Sequence, residues 1–227
     1  MDKKWIAKWI ASRQFEDLSP INVFHKQMAD YKAVEHKEDL KNHHMLVRRK
    51  FTLQQPFEKV YLDITADDYY KLYVNGRFAG QGPASGYFFH YNYNRIDLSD
   101  FLVQGENVIA VHVYYQGLVN RVWNSGDYRQ GMIAELFADD RLCLCTDETW
   151  KCNTAKEFTS RRATGYDTQF IEDIDERLKE KAWRDADFDD SGWESAIIKP
   201  DDDHELVKQE TPLVDVYEIK QIGRAHV

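Results

Sequence analysis

The 227-residue chain has no long uncharged apolar run, which excludes an ordinary transmembrane helix. Nothing after Met1-Asp2-Lys3-Lys4-Trp5-Ile6 has the apolar stretch and small-residue cleavage site of a secretory signal. Cysteine is scarce. Cys143, Cys145 and Cys152 are odd in number and clustered, which excludes a disulfide framework. They read as small packing residues in a reducing compartment, so a cytoplasmic protein is expected. No histidine or second cysteine pair lies near them to complete a metal site. Positive charge is also short: 30 Lys and Arg against 39 Asp and Glu give a net charge of −9. That argues against a nucleic-acid partner, because phosphate binding needs a positive field. No G-x-S-x-G or phosphate-binding loop is present; Gly80, Gly82 and Gly86 come after a hairpin and open no helix. Internal repeats and low-complexity linkers are absent as well.

What remains is a globular, aromatic-rich chain, 43% hydrophobic with 13 Tyr and 6 Trp. From Leu46 the hydrophobic period is two. Val47, Phe51 and Leu53 fall on one face and Arg48, Lys50 and Thr52 on the other, a half-buried strand. Val60, Leu62 and Ile64 alternate with Tyr61, Asp63 and Thr65. Tyr70, Leu72 and Val74 share a face and run into Asn75-Gly76, the pair favoured in a type I′ hairpin turn. A strong strand spans Val108 to Tyr115. Met132 to Ala138 and Arg141 to Thr146 pair around Asp139-Asp140, and a late strand is predicted from Leu213 to Ile219. Ser99 is placed to cap a turn through Phe101-Leu102, and Asp175 to Trp183 has the length of a short helix with poor periodicity. Short, regularly spaced strands predict an all-β antiparallel sandwich with short helical turns. Residues 1–44 read as a lead-in segment packed on it, with His43 and His44 in solvent, and 45–220 as the sandwich.

The acid is localised. Residues 172–203 carry thirteen acids and five bases, the signature of a solvated surface and loop. Glycosidase chemistry needs two carboxylates at a set separation. Asp67-Asp68, Asp139-Asp140, Glu172 and Asp189-Asp190 are the candidates by residue type, and adjacent Asp pairs in β proteins read first as turns. No catalytic residue is assigned. No cofactor is assigned either, although the acidic turns offer the hard oxygen donors that calcium takes, without EF-hand spacing. His112 lies inside the strongest strand, on the face of Val108 and Ala110, and reads as a packed histidine. The aromatic residues Tyr87, Phe88, Phe89, Tyr91 and Tyr93, with Tyr114, Tyr115 and Trp123, suit either sugar stacking or packing between domains.

One segment is distinctive: Tyr70-Lys71-Leu72-Tyr73-Val74-Asn75-Gly76-Arg77-Phe78-Ala79-Gly80-Gln81-Gly82-Pro83. It resembles a hairpin in the N-terminal domain of bacterial α-L-rhamnosidases. Asp97-Leu98-Ser99-Asp100-Phe101-Leu102, then Gly105-Glu106-Asn107-Val108-Ile109-Ala110-Val111, resembles the next stretch of that family's domain. So do Thr146-Asp147-Glu148-Thr149-Trp150-Lys151 and Phe188-Asp189-Asp190-Ser191-Gly192-Trp193 resemble later stretches of it. Order and spacing agree from about Trp5 to Ile219. The resemblance implies a jelly-roll β-sandwich of the galactose-binding type. It implies an inverting parent enzyme acting on terminal α-L-rhamnosides, with its working carboxylates in a downstream catalytic domain. This chain is then the accessory domain, inactive alone, whose partners are that catalytic domain and a rhamnose-containing glycan. In the same reading, Phe188 to Trp193 is an aromatic-anchored turn. Gln221 to Val227 does not resemble the family and is similar to one reading frame of a common short-read sequencing adapter. Residues 221–227 are therefore expected to be a non-native tail. The alternatives are a stand-alone carbohydrate-binding module and a non-catalytic interaction domain.

Overall fold

A computed structural model describes residues 3–23, 36–119, 125–160, 162–164 and 169–217; Trp123 and the expected tail 221–227 lie outside these. The described strands are, in chain order, β1 (Ile10–Ala11), β2 (His43–Leu53), β3 (Val60–Asp67), β4 (Tyr69–Val74) and β5 (Arg77–Gly82). Then come β6 (Tyr91–Asp97), β7 (Gly105–Tyr115), β8 (Gly131–Ala138), β9 (Arg141–Cys145) and β10 (Lys151–Thr154). The short strands β11 (Ala163–Thr164), β12 (Gln169–Phe170), β13 (Glu194–Ser195), β14 (Ile197–Ile198) and β15 (Leu206–Lys208) complete the set. Helix is confined to single 3-10 turns at Arg13–Phe15 and Glu38–Leu40 among the described residues.

The strands form a jelly-roll sandwich. One sheet runs β14-β1-β8-β3-β6-β15, with β9 also on β8; the other runs β13-β10-β2-β7-β4-β5. Pairing is antiparallel except between β15 and β6. The core between the sheets follows the period of two. Leu62, Ile64, Ala134 and Leu136 from one sheet meet Val47, Leu72, Val111 and Val113 from the other, all essentially inaccessible. Each such large aliphatic side chain contributes about 1.5–3 kcal/mol on burial. Asn75 and Gly76 take positive φ and close the β4–β5 hairpin, and Asp139-Asp140 does the same between β8 and β9. Trp150 is buried under the sandwich and donates its indole N–H to the Cys145 carbonyl.

Several expectations are corrected. His43 and His44 are not in solvent; they open β2 and are buried. Arg48 does not face water. The chain from Trp183 to Trp193 crosses the outer face of β2, so that face is covered and Arg48 has no exposed surface. Asp67-Asp68 is not a surface turn, since both residues are buried at the end of β3. No helix forms from Asp175 to Trp183, and residues 213–217 are not a strand. The late strand is Leu206–Lys208, which takes the free edge of β6. The turn through Phe101-Leu102 forms, with the Phe101 and Leu102 N–H groups donating to the Leu98 carbonyl, but Ser99 does not cap it: its hydroxyl donates to the Asp97 carboxylate. No helix among the described residues is long and apolar enough to cross a membrane. All three cysteines are free thiols.

Candidate functional site

The outer face of the second sheet, where it is not covered by Trp183 to Trp193, forms the floor of a cleft of about 740 Å³. The floor is a grid set by strand register. Leu46 on β2 pairs with His112 on β7, which pairs with Lys71 on β4; in the next row His44, Tyr114 and Tyr69 line up likewise. One wall is the acidic stretch from Phe170 to Arg184 together with Glu157 and Phe158. The other is Gln81 to Ala84 with Gln209 to Val214. Backbone bonds hold the first wall: the Thr159 N–H donates to the Asp173 carbonyl, and the Asp175 N–H to the Glu157 carbonyl.

The floor is polar but uncharged at its centre. His44 Nδ1 lies 2.9 Å from His112 Nε2, and His44 Nε2 lies 3.3 Å from Asn42 Oδ1. The amide oxygen accepts, so His44 carries its proton on Nε2 and receives the His112 N–H at Nδ1. Burial lowers His112 to about 3, assisted by Lys71 and Arg184. Burial lowers His44 to about 2, assisted by His112, His43 and Lys71. Both rings are neutral at neutral pH. The His44 ring stacks on Phe158 at 3.8 Å and on Tyr114 at 4.5 Å. The Arg184 guanidinium lies 4.3 Å over the Tyr73 ring, which meets Trp183 edge-on. The charges of the lining are mixed: Lys179 pairs with Glu176 at 3.0 Å, and Glu172, Asp173, Lys71 and Arg184 also line the cleft. Glu157 is 5% exposed, and its Oε2 has no hydrogen-bond partner among the described residues.

The aromatic residues singled out by sequence lie elsewhere. Tyr87 and Phe89 stack at 5.4 Å on the surface at one end of the sandwich, with Phe88 edge-on to Phe89. Tyr91 and Tyr93 are buried in β6. Tyr115 is fully buried beside Phe15, and among the described members of that group Tyr114 alone lines the cleft. Beneath Phe88 lies a buried ionic lattice. Arg129, 4.0 Å from the Phe88 ring, donates to Asp127 at 2.8 Å and as a fork to Asp203 at 2.6 and 2.7 Å. Asp68 accepts from the Gln116 N–H and the Ser125 hydroxyl; burial, then the neighbouring Asp67, pushes its carboxyl well above the usual range. The space beside Asp67, Asp127 and Tyr91 measures about 10 Å³, room for one water and not for a sugar. No group of three or more His, Cys, Asp or Glu among the described residues is placed to hold a metal ion. The cleft was missed because its residues come from β2, β4, β7 and the acidic wall, and no local motif unites them. The one readable signal was the polar outer row of otherwise strong strands.

The α-L-rhamnosidase N-terminal domain family model matches residues 55–218. The chain belongs to that family. Among solved structures, the rhamnosidase of family GH78 from Bacillus sp. GL1 superposes with a TM-score of 0.74 at 28% identity. The match covers 93% of this chain and 20% of that one. The α-L-rhamnosidase from Dictyoglomus thermophilum gives 0.66 at 21% identity, covering 92% and 23%. That from Aspergillus terreus gives 0.62 at 22% identity, covering 86% and 21%. The latter two establish likeness of fold. The chain thus spans about a fifth of the length of the rhamnosidase structures it matches. No curated protein matches it. Within this rhamnosidase family domain, the Phe188–Trp193 turn is held by Arg48. Its guanidinium donates to the carbonyls of Phe188 and Asp185 and pairs with Asp190.

Proposed function

We propose that this sandwich is the accessory N-terminal domain of a longer α-L-rhamnosidase. In that role it packs against the catalytic domain, helps shape the cleft that receives terminal α-L-rhamnosides, and is inactive alone. The observation that carries the reading is the match over nearly the whole of this chain to one fifth of the Bacillus rhamnosidase. Exposed apolar side chains along one flank (Ile171, Ile174, Leu178, Leu213 and Val214) are suited to contact with a further domain. Three free thiols suit a reducing compartment such as the cytoplasm. The reading assigns no cofactor to the domain. A long-read sequence across the 3′ end of the gene tests it. A frame running past Lys220 into a helical domain, and hydrolysis of p-nitrophenyl α-L-rhamnoside by that longer protein but not by this chain, is the expected result. A stop codon there overturns the proposal.

A further inference from the structure

We infer that the mouth of the cleft is a protein-docking socket, filled in the longer protein by an apolar loop or helix end from the part that follows residue 218. The socket rests on the accessory role proposed for this chain, and it names the surface and the chemistry of the contact.

Exposed apolar surface is gathered here. Of the thirteen large hydrophobic residues exposed among the described residues, five line this cleft: Tyr69, Ile171, Ile174, Leu213 and Val214. Ile171 and Ile174 belong to the acidic wall, and Leu213 and Val214 to the other, so apolar groups stand on both lips. The centre of the floor has less to offer a ligand. Both ring nitrogens of His44 are already bonded, to His112 and to Asn42, and the ring is stacked on Phe158 and Tyr114. A small polar molecule resting there would leave the lips in water. An inserted cluster of apolar side chains takes both lips out of water.

Charge selects the kind of element. Lys179 is paired with Glu176, which leaves Glu157, Glu172 and Asp173 in the lining against Lys71 and Arg184. A charged insert of either sign meets like charge, and an apolar one does not.

The chain itself decides which partner arrives. Val214 lines the cleft, and the family match ends at residue 218. The four residues between span at most roughly 14 Å when fully extended. Most of the Bacillus rhamnosidase lies outside the matched region. Whatever follows this domain therefore starts close to the mouth, at an effective concentration in the millimolar range that a free partner does not reach.

The test is backbone hydrogen exchange, read by mass spectrometry, in this chain and in the longer protein encoded by the extended reading frame. The amides of Glu172 to Ile174 and of Leu213 and Val214 are expected to exchange about tenfold or more slowly in the longer protein. Val103, exposed outside the cleft, is the control and should not change. Ile174→Glu combined with Leu213→Glu puts charge on both lips at exposed positions. In this chain the double variant should melt within about 3 °C of the wild type. In the longer protein it should lose the protection. Equal exchange in the two wild-type proteins, or protection that survives the double variant, overturns the inference. So does protection that develops in this chain alone as its concentration rises, because the occupant is then a second copy. Rhamnosidase activity in a longer protein that lacks this protection removes the socket and leaves the accessory role standing; a stop codon at the end of this chain removes both.

Discussion

His204 Nε2 lies 3.2 Å from Asp67 Oδ2, tying the segment that leads into β15 to the last residue of β3. Its Nδ1 lies 2.6 Å from Asp202 Oδ1, and the ring has no exposed surface. Burial opposes charge on this imidazole, but the hydrogen bonds and charges of the two carboxylates outweigh it, and the pKa rises to about 9. A folded pKa above the unfolded value of about 6.5 gives stability that is complete below pH ~6.5 and is lost as pH rises through about 9. The melting temperature is therefore expected to fall from neutral pH to pH ~9.5, and His204→Gln to flatten that limb. Thermal melts at constant ionic strength decide it; an equally steep alkaline limb in the variant would remove His204 as the cause.

The acid limb has the opposite origin. Burial lowers His43 to about 4, His112 to about 3 and His44 to about 2, so the native state keeps all three neutral. Folded pKa values below the unfolded one give stability that is present above pH ~6.5 and lost as pH falls. Two carboxyls work against them. Asp127 is raised to about 7 by burial and by Asp67, and Asp68 is also raised, so the native state holds their protons where the unfolded chain does not. Burial lowers His36 as well, so four imidazoles take up protons on unfolding against two carboxyls that release them, and stability is expected to fall as pH falls from ~6 to ~4. His43 bonds only the Ser12 hydroxyl, at 2.8 Å, among the described side chains. His43→Gln should make that slope shallower without abolishing it, in urea titrations repeated across this range; an unchanged slope would remove His43 as a contributor.

These groups also mark where the sequence could and could not be read. The hairpin at Asn75-Gly76, the β8–β9 turn and the inward row Tyr70, Leu72, Val74 follow from local rules: positive φ at Asn-Gly, and period two. Those rules describe one sheet facing solvent. They fail where a distant segment covers the outer face. The strand β2 is buried on both sides for its first half because Trp183, Phe188 and Trp193 return from more than 130 residues away. The acidic run from Glu172 was legible as surface, and most of it is. Asp190, Asp202 and Asp203 are the exceptions, since each meets a buried cation or imidazole whose position no periodicity reveals. The cleft went unread for the same reason: its floor and wall are far apart in sequence.

Arg48 gives that long-range closure a measurable weight. It is fully buried, donates to Asp185 O at 2.7 Å and Phe188 O at 3.2 Å, pairs with Asp190, and stacks 5.1 Å from the Phe188 ring. Asp190 is partly exposed, so it rehydrates when the pair is broken, whereas the space left by Arg48 does not refill easily. Arg48→Ala is expected to cost about 3–5 kcal/mol, while Asp190→Asn costs about 1 kcal/mol. Urea unfolding of the two variants measures both. A loss under ~1 kcal/mol for Arg48→Ala would mean that Trp183 and Trp193 hold the segment without it.

Gly131 sets a comparable test for the lead-in segment. Its φ is +146°, and a Cβ there would sit 2.4 Å from the Ile10 carbonyl oxygen and 2.4 Å from the Trp9 indole nitrogen. The first contact is backbone, on the residue that pairs with Met132, so β1 cannot stay in register beside β8 if a methyl is added. Gly105 is the control: its φ is +106°, yet nothing lies within 4 Å of an added Cβ. Gly105→Ala therefore reports backbone strain alone, about 1–2 kcal/mol. Gly131→Ala adds the collision and is expected to cost ~2–4 kcal/mol, with amide exchange rising at Ile10 and Ala11 before the rest of the sheet. Equal losses in the two variants would show that β1 can shift away at no cost, and that the close approach of Trp9 and Ile10 contributes nothing to holding residues 3–23 on the sandwich.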